Sequence, residues 1–149
     1  MKNINVYLSG PMYLGKDQAT GWRDDVKHQL LQWQSQYGAK DLFRFNILDP
    51  CDRWYEKGPM LDRVGGYVVQ MDKMEIAKSH VVIVNATDPG WGTPMEQYIA
   101  FTTGKMVIAF STCEFPSIWA IAHSHMMFKS HIQATAFICE IAKNIAKVS

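Results

Sequence analysis

The run Val81-Val82-Ile83-Val84 constrains this chain most. Four β-branched residues in succession suit an extended backbone and leave no polar face, so the segment predicts a strand buried on both sides. Such strands occur in parallel sheets covered by helices on both faces, and the rest of the chain fits that demand. Residues 4–8 form a short apolar run that ends at Ser9-Gly10-Pro11. Residues 20–37 place Trp22, Val26, Leu30 and Trp33 at helical spacing, with Gly38 as a stop. Residues 42–48 read as a second strand that ends at Asp49-Pro50. A long loop over 52–66, containing Pro59 and Gly65-Gly66, is expected to precede a helix over 67–78. After the 81–85 strand come a helix over 93–103 closed by Gly104 and a buried strand over 106–110. A helix over 116–125, an edge strand over 126–128 and a final helix over 131–147 complete the pattern. The expectation is an α/β fold with helices on both faces of a parallel sheet, formed by one domain over residues 1–149.

Ligands of such sheets sit beyond the carboxyl ends of the strands. Three turns therefore matter: Ser9-Gly10-Pro11, Asp49-Pro50 and residues 85–93. The last carries Asp88, Gly90, Trp91 and Gly92, and its glycines allow close approach of backbone to a ligand. It leads into Gly92-Thr93-Pro94-Met95-Glu96. With Glu96 in the first turn of a helix, the dipole favours an ionised carboxylate, as a nucleophile requires. The same Thr-x-x-Glu spacing also makes a capping box, with Thr93 as N-cap and Glu96 reaching back, and spacing alone leaves both readings open. Asp72 has two readings as well, a solvated helix position beside Lys73 and Glu75 or a second carboxylate near Glu96. Tyr7, pointing opposite to Val6 and Leu8, is either a core aromatic or a phenol that orients a carboxylate. Trp54, Tyr55 and Trp91 fall in loops, where they could pack or stack on a base.

Other classes of function find little support. Fifteen basic and 14 acidic residues give a formal charge of +1, which provides no electrostatic footprint for a nucleic-acid polymer or a membrane surface. The three cysteines, Cys51, Cys113 and Cys139, form neither a CxxC pair nor a disulfide framework. With no apolar stretch of about 20 residues, the expected location is the cytoplasm. His123-x-His125 lacks a second ligand cluster, so no metal is expected. Trp119, Met126, Met127 and Phe128 crowd one stretch of the tail, which fits internal packing or an oligomer interface.

Three motifs in order resemble the nucleoside 2-deoxyribosyltransferase family. They are Val6-Tyr7-Leu8-Ser9-Gly10-Pro11, Asp72-x-x-x-Ile76 ahead of the Val-Val-Ile-Val strand, and Gly92-Thr93-x-x-Glu96 ahead of Gly104-Lys105-Met106-Val107-Ile108. The resemblance spans residues 4–110. It implies a flavodoxin-like five-stranded sheet and cleavage of an N-glycosidic bond without metal or organic cofactor. By this likeness Glu96 attacks C1′, Tyr7 orients Glu96, and Asp72 assists at the base or sugar. The first outcome it implies is transfer of the deoxyribosyl group to another base. The alternative is hydrolysis of a nucleoside 5′-monophosphate, with Ser9, Gly10 and Ser117 as candidate phosphate donors. A non-catalytic nucleotide-binding module on the same scaffold is the reading from a different class. The family often assembles into homo-oligomers that complete the pocket. Two departures bear on substrate choice: Gly90-Trp91 stands where transferases carry an aspartate pair or Asp-Ser, and Ser79-His80 replaces Ala-Asp. Substrate contacts are expected from Ser9, Gly10, Asp49, Trp54, Asp88, Gly90, Trp91, Gly92 and Ser117.

Overall fold

A computed structural model describes residues 2–12, 16–36, 43–53 and 61–148, with the side chains of 16–20 and 61–64 outside the description. Trp54, Tyr55 and Gly38 lie outside the described residues. The elements are β1 (Lys2–Ser9), α1 (Lys16–Gln36), β2 (Phe43–Leu48), a 3-10 turn (Pro50–Asp52), α2 (Leu61–Lys78), β3 (Val81–Asn85), α3 (Gly92–Thr102), β4 (Met106–Phe110), α4 (Ile118–Ala122), β5 (Met126–Phe128) and α5 (His131–Val148). Five parallel strands form one sheet in the order β2-β1-β3-β4-β5, the doubly wound flavodoxin-like arrangement.

Alternation along β1 sorts its side chains to opposite faces. Ile4, Val6 and Leu8 enter one core layer with Trp22, Val26 and Leu30 of α1 and Ile138 and Ala142 of α5. Tyr7 enters the other, with Val82, Val84, Ile76 of α2 and Ala100 of α3. The side chains of Val81 through Val84 are all fully buried, as their β-branched run demands. Burying each contributes about 1.5–3 kcal/mol before the entropy of ordering is set against it. Phe128 and Met127 pack on the two core layers, whereas Trp119 stays 71 % exposed. Tail packing therefore explains only part of that aromatic cluster.

Two expectations need correction. The helix before β3 begins at Leu61 rather than at 67, so Gly65 and Gly66 are helical. Each weakens a helix by about 1 kcal/mol relative to alanine, but Gly65 lines a cleft, where the missing side chain leaves room. The helix after β3 starts at Gly92 with Trp91 as N-cap, and no side chain caps it. Thr93 is its second residue and Glu96 stands in its second turn, so the Thr-x-x-Glu spacing forms no capping box. Gly104 does close this helix, at φ 81°, a conformation open to glycine. Among the described residues, no helix is long and apolar enough to cross a membrane.

Candidate active site

The carboxyl ends of β1 and β3 open onto a cleft of about 650 Å³, within the range of small-molecule sites. Its walls come from the turn after β1 (Gly10, Pro11, Met12), from α2 (Gly65, Val68, Asp72) and from residues 88–93 and Glu96. Gly10 is required to be small: a Cβ there would lie 2.7 Å from Trp22 Cζ2 and 3.1 Å from Asn85 Cβ.

Glu96 is the floor of the cleft. The Tyr7 hydroxyl donates a short hydrogen bond to its Oε2, across 89 positions of sequence. The Ser9 hydroxyl lies 3.4 Å from Oε1. Tyr7 is thus a core side chain with a polar end: its ring packs in the α2–α3 layer while its hydroxyl reaches Glu96. Burial pushes the Tyr7 hydroxyl far above the usual tyrosine range, and the negative charges of Glu96 and Asp72 push it further. It therefore remains a donor at all working pH values. Burial also raises the Glu96 carboxyl to about 7, against the lowering effect of the Tyr7 hydrogen bond and with a further rise from Asp72. A first-turn position in the helix dipole would favour the ionised form instead. A second-turn position and a desolvated carboxylate account for the difference.

Asp72 lines the same cleft, on the α2 face turned toward Glu96. It is neither solvated nor alone: Arg53 Nη2 lies 2.5 Å from its Oδ1 and 3.1 Å from Glu75 Oε2. Burial raises the Asp72 carboxyl and the Arg53 guanidinium holds it down against that rise.

Beneath the cleft lies Arg23 of α1, fully buried. Its Nη1 donates to Leu8 O (2.7 Å) and to Asp49 Oδ1 (2.8 Å), and its Nη2 donates to Gly10 O (2.9 Å). Lys27 Nζ completes the pairing at 2.6 Å from Asp49 Oδ2. This cluster ties the turn after β1 to the turn after β2, and so fixes the backbone that carries Ser9 and Gly10. Sequence reasoning missed both Arg23 and Arg53. A buried arginine looks like any helical surface arginine until its partners are folded onto it, and Arg53 stood in what reads as a loop.

The remaining expected residues divide. Gly10, Asp88, Gly90, Trp91 and Gly92 line the cleft with Glu96 and Asp72. Trp91 is 91 % exposed at the rim. Ser9 is fully buried and faces Glu96. Asp49 is buried with Arg23 and Lys27, accepts from Cys51 N and does not line the cleft. Ser117 caps α4 and lines a separate cavity of about 320 Å³ beside Tyr98, Phe115 and Trp119, so the structure does not bring it to Glu96. Among the described residues, no Lys or Arg lines the cleft, and no group of three or more His, Cys, Asp or Glu is placed to hold a metal ion.

No family model and no curated protein matches this chain. Solved structures do. A conserved protein from Enterococcus faecalis V583 superposes with a TM-score of 0.72 at 10 % identity, covering 92 % of this chain and 98 % of its own. A 2-deoxyribosyltransferase from the psychrotolerant bacterium Bacillus psychrosaccharolyticus superposes with a TM-score of 0.63 at 18 % identity, covering 88 % of this chain and 90 % of its own. At these identities the likeness establishes the shared five-stranded parallel α/β fold.

Proposed function

We propose that this protein cleaves the N-glycosidic bond of a neutral nucleoside and transfers the sugar to a second base, with Glu96 as nucleophile. The observation that carries the reading is the hydrogen bond from Tyr7 to a partly buried Glu96 at the floor of a nucleoside-sized cleft. The fold shared with the Bacillus 2-deoxyribosyltransferase supports it. Tyr7 engages Oε2 and leaves Oε1, with its long contact to Ser9, as the attacking atom. The Oε1–C1′ bond forms as the C1′–N bond breaks, and the electron pair leaves with the base. A nitrogen of the second base then attacks C1′ and displaces the carboxylate.

Charge favours a nucleoside over its 5′-monophosphate. Glu96, Asp72 and Asp88 all line the cleft, and a phosphate there would meet three carboxylates, while Arg53, the described cation beside Asp72, is already engaged by Asp72 and Glu75. The test is product chromatography after incubation with 2′-deoxynucleosides plus a second base, and separately with nucleoside 5′-monophosphates. Exchange products from the first and none from the second are expected. Free base and sugar phosphate from the second would favour hydrolysis, and neither product with tight binding would favour a non-catalytic module.

Because Glu96 titrates near 7, kcat/KM is expected to climb as pH rises through about 7 and ionises the nucleophile. Tyr7→Phe removes a hydrogen bond that favours the ionised form. The variant should lose about 10–100-fold in rate and its climb should move to higher pH. A pH–rate profile of both proteins checks this, and an unshifted profile would contradict the role given to Tyr7.

A further inference from the structure

We propose that Arg53 is a positioning residue that keeps Asp72 an anion on the cleft wall, so that Asp72 holds a hydrogen-bond donor of the departing base and does not supply a proton. The inference rests on the reaction proposed above. Arg53 caps the 3-10 turn, donating its backbone N–H to Pro50 O at 3.2 Å. The turn itself is anchored through Asp49 to Arg23 and Lys27, so Arg53 projects from a fixed base.

A single nitrogen of Arg53 sits between the carboxylates of Asp72 and Glu75, all three side chains being about four-fifths buried. A charge-assisted contact of 2.5 Å to Oδ1 favours the ionised carboxylate. Asp72 lines the cleft, and among the described residues its Oδ2 has no hydrogen-bond partner. The charged and titratable groups around Asp72 are Glu75 on its own helix, Glu96 from α3, Tyr7 from β1 and Arg23 from α1, and Asp88 lines the same cleft. Burial favours a neutral Asp72, and Arg53 is the cation in direct contact that opposes it, with Arg23 acting the same way from farther off. Without Arg53, Asp72 would take up a proton and present a donor where an acceptor stood. In the cleavage step the electron pair left on the base nitrogen is then taken up by a proton from water, while Asp72 fixes the base through one of its N–H groups.

The experiment compares Arg53→Met, Arg53→Lys, Asp72→Asn and the double variant R53M/D72N with wild type, using 2′-deoxyadenosine and cytosine. The ratio of variant to wild-type kcat is read at about pH 6 and about pH 8.5. R53M is expected to fall about tenfold or more at the lower pH and to recover at the higher, where Asp72 ionises unaided. R53K should restore most of the loss, D72N should stay low at both, and the double variant should be no worse than D72N. Undiminished or raised R53M activity at the lower pH would make Asp72 an acid and overturn the proposal. An equal loss at both pH values, additive with D72N, would make Arg53 merely structural and overturn it too. Calorimetric binding of 2′-deoxyadenosine to Glu96→Gln, with and without R53M, separates this from the reaction itself. If wild type turns over no nucleoside, the proposed reaction fails. Binding that R53M weakens only at the lower pH still supports the arginine's role, and binding unchanged by R53M at either pH overturns it.

Discussion

Glu96→Gln is expected to abolish turnover and, above pH 7, to yield a more stable protein than wild type. The loss of rate follows from chemistry: an amide oxygen is a poor nucleophile, and removal of a covalent nucleophile costs several orders of magnitude. The gain in stability follows from burial. In the unfolded chain this carboxyl ionises near its ordinary value of 4.5, and in the folded protein near 7. Between those values the folded state holds a proton that the unfolded state has released. Stability from this group is thus fully present below about 4.5 and is lost as pH rises through about 7. Glutamine cannot ionise and escapes that loss, by about 1–3 kcal/mol at pH 8. Its Oε1 still accepts from Tyr7. Urea unfolding of both proteins at pH 5 and pH 8 reads the difference, which should nearly vanish at the lower value. Residual turnover in the variant would remove Glu96 from the role of nucleophile. Equal stability at pH 8 would mean that the carboxylate is solvated.

Arg23→Met should destabilise the fold by about 3–5 kcal/mol, as expected when one partner of a buried ion pair is removed. Methionine roughly preserves the volume of the stem. It provides no donor, so Leu8 O and Gly10 O lose their partner and Asp49 keeps Lys27 as its remaining cation. The two carbonyls flank Ser9, so activity should fall even where the variant remains folded. Arg23→Lys keeps the charge, but its single ammonium cannot reach all three acceptors that the two rigidly spaced guanidinium nitrogens hold, so it should recover part of the loss. Equilibrium urea denaturation checks both. A loss below about 1 kcal/mol in the methionine variant would show that this cluster does not hold the turn.

The sheet was legible because its strands carry undiluted signals. Val81-Val82-Ile83-Val84 has one reading, and the helices around it have apolar residues at clean spacings. α2 was less so, because Gly65-Gly66 is a loop signal in isolation. The helix keeps both glycines, and the cleft uses the space at Gly65. In the site, Tyr7, Asp72 and Glu96 stood out through a family pattern, while spacing alone left the cap and nucleophile readings of Glu96 open. Its partners exclude the cap, since its carboxylate meets Tyr7 and Ser9 rather than its own helix start. Arg23 and Arg53 were illegible for one reason: their meaning lies in acceptors distant in sequence, Asp49 and the Leu8 and Gly10 carbonyls for one, Asp72 and Glu75 for the other.

The strand order has a bearing on synthesis of the chain. β1 is made well before one of its two partners, β3, with Val6 paired to Val81, and Tyr7 meets Glu96 later still. The apolar faces of β1 must therefore wait for segments far along the sequence before both are covered. The pairing of Glu96 with Tyr7 joins α3 to β1 across 89 positions of sequence. The proposed activity should accordingly disappear together with cooperative unfolding, not ahead of it, which would make it a gauge of how much of the population is native.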